Sequence, residues 1–252
     1  MKADSLSKRM KTYEKSIEIH LLKKCPAILR IDMKCGHSFC KHMEKPFDKT
    51  LNYCMVNACI ELAKEIQGFK FGYTQSDEAS FMFTDYDTID TEGWFGYDKD
   101  KIVSVSASIF TKAFNKLLLK QELILKYNKQ IVDKLDAYYY IDKFKFASFD
   151  SRAFNIPKDD VANYFLWRAK DWNRNSIQMF ARSFFSHKEL HGKRTTDIHE
   201  MLYSIGKNWV NDVPDNFRNG TFLYKDDDNK FVVDSTIKDN YNEISERLKY
   251  RV

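Results

Sequence analysis

The stretch that decides the fold is residues 69–84, with the sequence FKFGYTQSDEASFMFT. Its two ends, 69–74 and 79–84, are rich in aromatic and other apolar residues, and the four residues between them are polar. Two such runs joined by a short polar turn are typical of a β-hairpin. The sequence therefore predicts two antiparallel strands, with Asp77 in or just after the turn.

The segments around this hairpin predict an α+β fold. Upstream lie a short apolar strand, 27–31, and a helix that Asp48 opens and Gly68 closes. Downstream lie a long helix at about 101–127 and a further strand at 144–156. Strand, helix, strand, strand, helix, strand is the order of a ferredoxin-like unit, a mostly antiparallel sheet with its helices on one face.

The remaining segments predict additions to this unit. Ser5 is a suitable cap for an N-terminal helix, and the apolar residues that follow it have helical spacing. A long helix after Pro157 and a later β-hairpin form a second group of elements. We therefore predict an N-terminal helix plus the sheet unit over 1–156, and a helical and hairpin extension over 157–252 that packs on it. The apolar stripe of the first helix consists of Leu6, Met10, Tyr13, Ile17 and Leu21.

The composition excludes several classes of protein. Of the 252 residues, 43% are hydrophobic and 31% are charged, which excludes a wholly disordered chain. No apolar run approaches the ~20 residues needed to span a bilayer, so we expect no membrane protein. The first residues lack the apolar core of a secretory signal, so we expect a cytoplasmic protein. A formal net charge of +5 permits a polyanionic partner.

The cysteines do not suggest a disulfide framework. All five lie between Cys25 and Cys59, and an odd number in a chain expected to be cytoplasmic argues against paired bridges. Two cysteines alternate with histidines in the run 35–42. That spacing is too compressed for zinc, whose ligand pairs are usually separated by a loop.

Two acidic residues stand out by their positions. Asp32 ends the first strand and Asp77 lies at the hairpin turn, so in the predicted sheet both can reach one edge. Two anions about 4 Å apart repel by roughly 4 kcal/mol at an effective dielectric constant of about 20, so such a pair needs a shared proton or a cation. Oxygen ligands beside a loop favour magnesium, which usually keeps phosphate oxygens as partners. The alternative is structural: Asp77 makes an Asx-turn and Asp32 caps the loop.

The loop after Asp32 has features of a phosphate-binding segment. The backbone N–H groups of residues 33–37 follow a strand directly and could form an anion-binding nest. Lys45 and Lys101 supply point charges suited to phosphate, and His37 could stack on a base. The alternatives are ordinary solvated lysines and a histidine that makes hydrogen bonds within the loop.

Six motifs occur in order along the chain. They are Arg30-Ile31-Asp32, Lys45-Pro46-x-Asp48, Gln75-Ser76-Asp77-Glu78-x-Ser80-Phe81, Phe149-Asp150-x-Arg152, Trp167-Arg168-x-x-Asp171 and Arg218-x-Gly220-Thr221. Over roughly residues 27–224 the chain resembles the tRNA-histidine guanylyltransferase family and its relatives, the template-dependent 3′-to-5′ RNA polymerases. The Gln-Ser-Asp-Glu hairpin with the earlier Arg-x-Asp is the specific part of the resemblance.

The resemblance implies a polymerase-type palm that binds two Mg²⁺ ions. Its catalytic residues would be Asp32, Asp77 and Glu78, and its metal ligands Asp32, the main-chain carbonyl of Met33 and Asp77. The nucleotide would be bound by Met33, Lys34, Cys35, Gly36, His37, Lys45, Asp48, Ser76 and Lys101. The tRNA would be bound by Arg152, Arg168 and Asn175. ATP and other nucleoside triphosphates would be substrates, and the protein would be a tetramer.

The chain departs from the family pattern at positions that bear on the substrate. Met33 stands where the guanylyltransferases typically have glycine, and Ile198 stands where a lysine is expected. Their His-Ile-Asn-Asn signature is replaced by Asn-Arg-Asn-Ser at 173–176. These losses favour an enzyme that repairs truncated tRNA 5′ ends, by ATP-dependent adenylylation and templated addition. Two alternatives stay open: a guanylyltransferase that adds one G to histidine tRNA, and a catalytically inactive tRNA-binding palm.

Overall fold

A computed structural model of the chain describes residues 5–127 and 146–248. Within these ranges, six strands form one antiparallel sheet in the order β4-β1-β3-β2-β5-β6. The first four of these neighbours, β4-β1-β3-β2, have the ferredoxin-like arrangement, so the predicted fold class is confirmed. The strands are β1 Ala27–Met33, β2 Phe69–Gln75, β3 Glu78–Phe83, β4 Phe149–Asn155, β5 Thr221–Lys225 and β6 Phe231–Asp234.

The helices of the described ranges lie on both faces of the sheet. Asp48 begins the third helix as predicted, because its Oδ1 accepts a hydrogen bond from the Leu51 N–H at 2.7 Å. In chain order the α-helices are α1 Leu6–Lys15, α2 Gly36–Phe39, α3 Lys49–Glu65, α4 Lys99–Tyr127, α5 Val161–Ala181, α6 His187–Leu190, α7 Thr195–Ser204, α8 Trp209–Asp212, α9 Asp215–Arg218 and α10 Tyr241–Leu248. The strand predicted at 144–156 is β4, and residues 144 and 145 lie outside the described ranges.

The hairpin at residues 69–84 forms with a tight turn. Gln75 and Glu78 are Cα partners, so Ser76 and Asp77 are the two turn residues. Ser76 has a left-handed φ of 48°, which two-residue hairpin turns require in at least one central position. The turn therefore presents Ser76 and Asp77 at the end of the sheet where β1 also ends.

The palm helices α3 and α4 cover one face of the sheet. The core on this face includes Leu29 and Ile31 of β1 and Phe81 of β3, packed against Phe110 and Phe114 of α4. Because side chains alternate along a strand, Arg30 and Asp32 project from the opposite face. This alternation places the charged residues of β1 away from the palm helices.

The C-terminal elements cover part of the second face and widen the sheet. Ile28 and Met82 pack there with Phe165 of α5 and Ile244 of α10, in a second buried cluster. The strand β5 pairs with β2, so the extension also continues the palm's hydrogen-bonded ladder. The extension predicted at 157–252 therefore contributes to the same sheet as the palm.

The N-terminal helix is shorter than the apolar stripe predicts. Ser5 caps α1 by accepting a hydrogen bond from the Lys8 N–H, and the helix ends at Lys15 rather than near Leu21. The Ser16 hydroxyl donates to the Tyr13 carbonyl, which satisfies one of the last helical carbonyls. Beyond it, the Leu21 N–H donates to the Tyr97 carbonyl at 2.9 Å. No residue of α1 is buried.

One described helix passes a simple test for a membrane span. Residues Lys99–Gln121 of α4 are long and apolar enough to cross a bilayer, with a mean hydropathy of 1.3 over 18 residues. We expected no membrane protein because the sequence has no long uninterrupted apolar run. Helix α4 does not have one either, because lysines interrupt its apolar residues. A core helix of a soluble protein passes the same test, and α4 buries Ile102, Phe110 and Phe114 against the sheet.

Candidate active site

Asp32 and Asp77 lie at the same end of the sheet. Asp32 is the penultimate residue of β1, and its Cα partner is Glu78, the residue after Asp77. The backbone N–H of Met33 donates to the Asp77 carbonyl at 3.1 Å. The structure therefore brings these two aspartates together where β1 meets the hairpin turn.

The two carboxyl groups are held in an unfavourable electrostatic environment. Burial raises the pKa of Asp32; Arg30 opposes this, and the charges of Asp77 and Glu78 raise the pKa further. Burial likewise raises the pKa of Asp77, against a hydrogen bond with Ser76 that lowers it. Within the described part of the chain, the Asp32 carboxylate has no hydrogen-bond partner and no ion pair. A bound cation would relieve this crowding of negative charge.

Gly36 allows the loop after β1 to lie directly against Asp77. A Cβ atom at position 36 would stand 1.7 Å from Asp77 Oδ2, far inside van der Waals contact. Gly36 is buried at the start of α2 and follows Cys35, whose φ of 56° is left-handed. The missing side chain leaves the space that the Asp77 carboxylate occupies.

Glu78 is held by two arginines. Its carboxylate accepts hydrogen bonds from Arg168 Nε at 2.7 Å and Arg168 Nη2 at 2.8 Å, and from Arg30 Nη2 at 2.5 Å. Such charge-assisted bonds are among the strongest side-chain contacts. Both carboxylate oxygens of Glu78 are thus engaged with arginine. These bonds make Glu78 the link between β1, the hairpin and α5, and its catalytic role stays a prediction.

Arg168, which was predicted to contact tRNA, is an interior residue. Its side chain binds Glu78 and Asp171 and is only 5% exposed, although tRNA binding would require an accessible guanidinium. Burial opposes its charge, but the hydrogen bonds and charge of Glu78 raise the pKa of Arg168 overall. The contacts that Arg168 makes are structural, and its role in tRNA binding stays a prediction.

Arg152 and Asn175, the other predicted tRNA contacts, are exposed. Arg152 projects from β4, with its Nη2 3.6 Å from Asp150 Oδ1. Asn175 lies on α5. Both remain accessible to a large ligand, but they lie on separate elements and neither lines the cleft beside Asp77.

A cleft of about 540 Å³ opens beside Asp77. Of the residues predicted to bind nucleotide, Gly36, His37, Lys45 and Ser76 line it. The sequence did not identify Lys41, Met179, Arg182 and Ser183, which also line it. The last three come from the end of α5 and the two residues after it, more than 130 positions after the segment they face, and no local motif marks them. A larger cavity, of about 650 Å³, lies between the β5–β6 hairpin and α10 and contains none of the predicted site residues.

Other predicted nucleotide ligands have their polar groups engaged elsewhere. The N–H of Lys34 donates to the Ser148 carbonyl at 2.8 Å, and that of Met33 to Asp77, so neither is free to form part of an anion nest. Asp48 is buried, and its two oxygens accept N–H bonds from Glu44 and Leu51. These two bonds favour a capping role for Asp48.

Lys101 lies apart from the acidic pair. It is in the first turn of α4, which packs on the face of the sheet opposite to the Asp32 side chain. Its Nζ is 3.5 Å from Asp98 Oδ2, and the side chain is largely exposed. The structure therefore does not bring Lys101 to the cleft.

Cys40 lines the cleft as a protonated thiol. Burial, and then the negative charge of Asp77, raise its pKa to about 12. Cys35, five residues earlier, is exposed. Among the described side chains, no three of His, Cys, Asp or Glu are grouped so as to hold a metal ion.

The donor set at the acidic pair nevertheless suits magnesium. Asp32 and Asp77 offer carboxylate oxygens and the Met33 carbonyl offers a third oxygen, all at one end of β1 and the hairpin. Magnesium is commonly bound by one or two carboxylates together with substrate phosphates and water. A site with only two acidic side chains is therefore compatible with this ion.

Comparison with known proteins places the fold and the motifs in a family. The family model described as tRNAHis guanylyltransferase (Thg1) matches residues 7–157. The chain is 25% identical over 191 residues to the uncharacterized protein R259 of Acanthamoeba polyphaga mimivirus, covering 72% of this chain and 64% of that protein, less than two thirds of its length. It is 24% identical over 219 residues to the probable tRNA(His) guanylyltransferase of Dictyostelium discoideum, covering 81% and 77%.

A solved structure extends the match to nearly the whole chain. A bacterial tRNA(His) guanylyltransferase (Thg1)-like protein in complex with ATP superimposes with a TM-score of 0.82, covering 98% of this chain and 97% of that chain. The two sequences are 36% identical. The similarity includes the C-terminal extension, beyond the residues that the family model matches. The chain therefore belongs to the tRNAHis guanylyltransferase family of nucleotidyltransferases.

Proposed function

We propose that this protein is a nucleotidyltransferase that adds nucleotides to the 5′ end of tRNA in the 3′-to-5′ direction and repairs truncated ends. One observation carries the proposal: in a chain of this family, Asp32 and Asp77 lie at the same end of the sheet, and Asp77 lines a cleft of about 540 Å³. The Asp32 carboxylate has neither a hydrogen bond nor an ion pair within the described ranges, so it is available to a ligand. Oxygen ligands of this kind bind magnesium next to phosphate.

The metal ligands in this proposal are Asp32, Asp77 and the main-chain carbonyl of Met33, which would hold two Mg²⁺ ions. Bound magnesium lowers the pKa of an attacking hydroxyl and neutralises charge on phosphoryl oxygens. Gly36 maintains the space for the Asp77 carboxylate, and Glu78 ties the turn to Arg30 and Arg168. The protein's own contribution is thus the orientation of two carboxylates.

Two group transfers make up the proposed reaction. An oxygen of the tRNA 5′-monophosphate attacks the α-phosphorus of ATP, pyrophosphate leaves, and a 5′–5′ pyrophosphate link forms. The 3′-hydroxyl oxygen of an incoming nucleoside triphosphate then attacks the tRNA 5′-phosphorus, losing its proton, and AMP leaves. The product keeps a 5′-triphosphate. Pairing with the opposite acceptor strand selects the nucleotide, so the protein need not recognise the base.

The test is an extension assay on a 5′-truncated tRNA other than histidine tRNA. With ATP, magnesium and all four nucleoside triphosphates, we expect the protein to restore the missing paired nucleotides, measured by gel mobility and sequencing of the product. A template strand changed at one position should change the added nucleotide accordingly. Adenylylation of 5′-phosphorylated tRNA without any extension would contradict the repair function.

The Asp77→Ala variant tests the assigned carboxylate. We expect nucleotide addition to fall to background, because metal affinity and phosphoryl alignment both depend on this group. Circular dichroism should match the wild type, and the Tm should be no lower than that of the wild type, so a loss of activity would not be due to unfolding. The control is Asp226→Ala, which removes an exposed acid in the β5–β6 turn and should leave addition unchanged. Near-wild-type extension by Asp77→Ala would overturn the metal assignment.

A second candidate function is addition of a single G to histidine tRNA. It is favoured by the description of the matching family model and by the name of the Dictyostelium relative. Intact histidine tRNA offered beside the truncated substrate separates the two functions. Activity confined to one G on histidine tRNA would replace the repair proposal. An inactive tRNA-binding palm would instead bind tRNA and transfer no AMP from ATP in a magnesium titration.

A further inference from the structure

We propose that Lys41 and Arg182 form a phosphate-binding subsite in the cleft beside Asp77. Lys41 lies in the 3₁₀ turn that follows α2, and Arg182 follows directly after α5. Lys41 belongs to the palm and Arg182 to the C-terminal extension, so one ligand would contact both parts of the chain. The inference rests on the proposed function and adds to it a contact from the second part of the chain.

Both side chains line the cleft with their charges unpaired. Lys41 and Arg182 are exposed, and within the described ranges neither side chain makes a hydrogen bond or an ion pair. Lys45, on the same cleft, differs from them because its Nζ donates to the Cys40 carbonyl at 2.9 Å. Lys41 and Arg182 are therefore the two cations of this wall whose side-chain donors stay available to a ligand.

The charges of the cleft wall favour an anion. Three of its described lining residues are basic, Lys41, Lys45 and Arg182, whereas Asp77 is the one acidic residue among them. A concave surface with an excess of one charge raises the local concentration of the opposite ion. Arginine offers a planar fork of donors that matches phosphate oxygens, and lysine adds a mobile point charge. The ligand chemistry is therefore that of a phosphoryl group.

The positive charge of Arg182 also has a structural role at the end of α5, and experiment can separate this role from ligand binding. Arg182 is the C-cap of α5, where positive charge interacts favourably with the helix dipole. That role requires neither the cleft nor Lys41, which lies on a different element. A helix-stabilising role predicts a loss of stability in Arg182→Gln, whereas a ligand role predicts a loss of binding.

Two sources could supply the phosphoryl group: a free nucleoside triphosphate or the 5′-phosphate of tRNA. We would measure binding of ATP by calorimetry in magnesium buffer. We would also compare a 5′-phosphorylated RNA acceptor hairpin with the same hairpin carrying a 5′-hydroxyl. The variants are Lys41→Gln and Arg182→Gln. The control is Lys170→Gln, an exposed cation on the same helix that lies near Asp239 instead of the cleft.

Each cleft variant is expected to weaken binding of one phosphate source about tenfold, as loss of a charge-assisted hydrogen bond does. Lys170→Gln should stay within about twofold of the wild type, as solvated charges do. Loss confined to ATP assigns the subsite to the triphosphate. Loss confined to the 5′-phosphorylated hairpin assigns it to the tRNA end. Both results support the subsite, and Arg182→Lys should restore part of the affinity.

Unchanged binding of both ligands in both variants would overturn the subsite. The proposed function would still stand if the wild type and these variants extended truncated tRNA normally. Conversely, a wild type that binds ATP but transfers no nucleotide, with binding lost in Arg182→Gln, would refute the proposed function and leave the subsite intact. A wild type that binds neither ligand would refute both.

Discussion

The carboxylate of Asp77 occupies space that residue 36 leaves open because it has no side chain. Position 36 lies in the loop after β1, and its ideal Cβ would overlap Asp77 Oδ2 rather than any backbone atom. A carboxylate on a side chain can rotate away from such an overlap. An added methyl group would therefore move the proposed metal ligand while the main chain stays in place.

Gly36→Ala is accordingly expected to lower nucleotide addition roughly a hundredfold, the loss that a 1 Å misplacement of a reacting group can cause. Its free energy of unfolding should change by no more than about 1 kcal/mol, because alanine is tolerated in a helical turn. Extension assays and urea unfolding measure the two effects. Gly72→Ala is the control, because its Cβ would make contacts no closer than 3.5 Å. Normal activity of Gly36→Ala would show that the Asp77 position is not critical.

The repulsion at the acidic pair predicts a cost in stability for the metal-free protein. Burial raises the pKa of Asp77 in the folded state, so at pH 7 its ionised form is disfavoured by folding. Removing that charge removes the cost. In EDTA we expect Asp77→Asn to raise the Tm by about 2–4 °C, the shift that about 1 kcal/mol produces in a chain of this size. A lower Tm in calorimetry would show that the carboxylate stabilises the empty site.

The positions of Asp32 and Asp77 were predictable from the sequence because both follow from where strands end. The role of Glu78 was not predictable in the same way. One of its partners, Arg168, lies 90 residues further along the chain, and no local pattern pairs them. A buried carboxylate between two arginines requires the tertiary position of α5, which local periodicity does not determine.

The clamp formed by Glu78 and Arg168 joins α5 to the palm. The two side chains are almost fully buried, and Arg168 is further supported by Asp171 at 3.1 Å. Removing one partner of a buried ion pair leaves the other charged and unsatisfied. This interaction therefore constrains both the hairpin turn and the helix that lines the cleft.

Arg168→Met should destabilise the protein by about 3 kcal/mol, the low end for breaking a buried pair. Arg174→Met is the matched control on the same helix: its pair with Asp171 is exposed and should contribute less than about 1 kcal/mol. Urea unfolding of both, with Glu78→Gln and the double variant, completes a double-mutant cycle. If Arg168→Met and Arg174→Met lowered the free energy of unfolding equally, burial of the Glu78–Arg168 pair would contribute no extra stability.

The whole molecule is organised around one sheet shared by both predicted parts. Residues 221–224 of β5 pair with 71–74 of β2, so a strand of the extension continues the palm ladder. Ile28 and Phe71, from the palm, are covered by Val161 and Phe165. We propose that the parts 1–156 and 157–252 are distinct in sequence pattern but fold as one cooperative unit.

This proposal predicts that residues 1–156 alone will not form a stable monomer. Without the extension, the second face of the sheet would expose its apolar cluster, and such exposed patches lead to aggregation. The full chain should show one calorimetric transition, with agreement between calorimetric and van't Hoff enthalpies. A soluble fragment 1–156 with a sharp transition of its own would contradict the proposal.

The order and type of the palm elements were predictable, because hydrophobic periodicity and turn residues act locally. The contribution of Met179, Arg182 and Ser183 to the cleft was not, because it depends on how α5 crosses the second face. For helix α1, the sequence pattern predicted a buried apolar stripe that the structure does not show. Its amphipathic spacing is real, yet none of its residues is buried by the described part of the chain.

Two cysteines near the cleft, Cys35 and Cys40, differ enough in reactivity to allow selective fluorescent labelling. At neutral pH the Cys40 thiol keeps its proton, since its pKa is about 12, whereas Cys35 is exposed to solvent. Maleimides react with thiolates, so a fluorescent dye should attach to Cys35 well before Cys40. The residue after Cys35, Gly36, lines the cleft, so we expect emission from that dye to change when a ligand occupies the cleft, without radioactive substrate or gel separation.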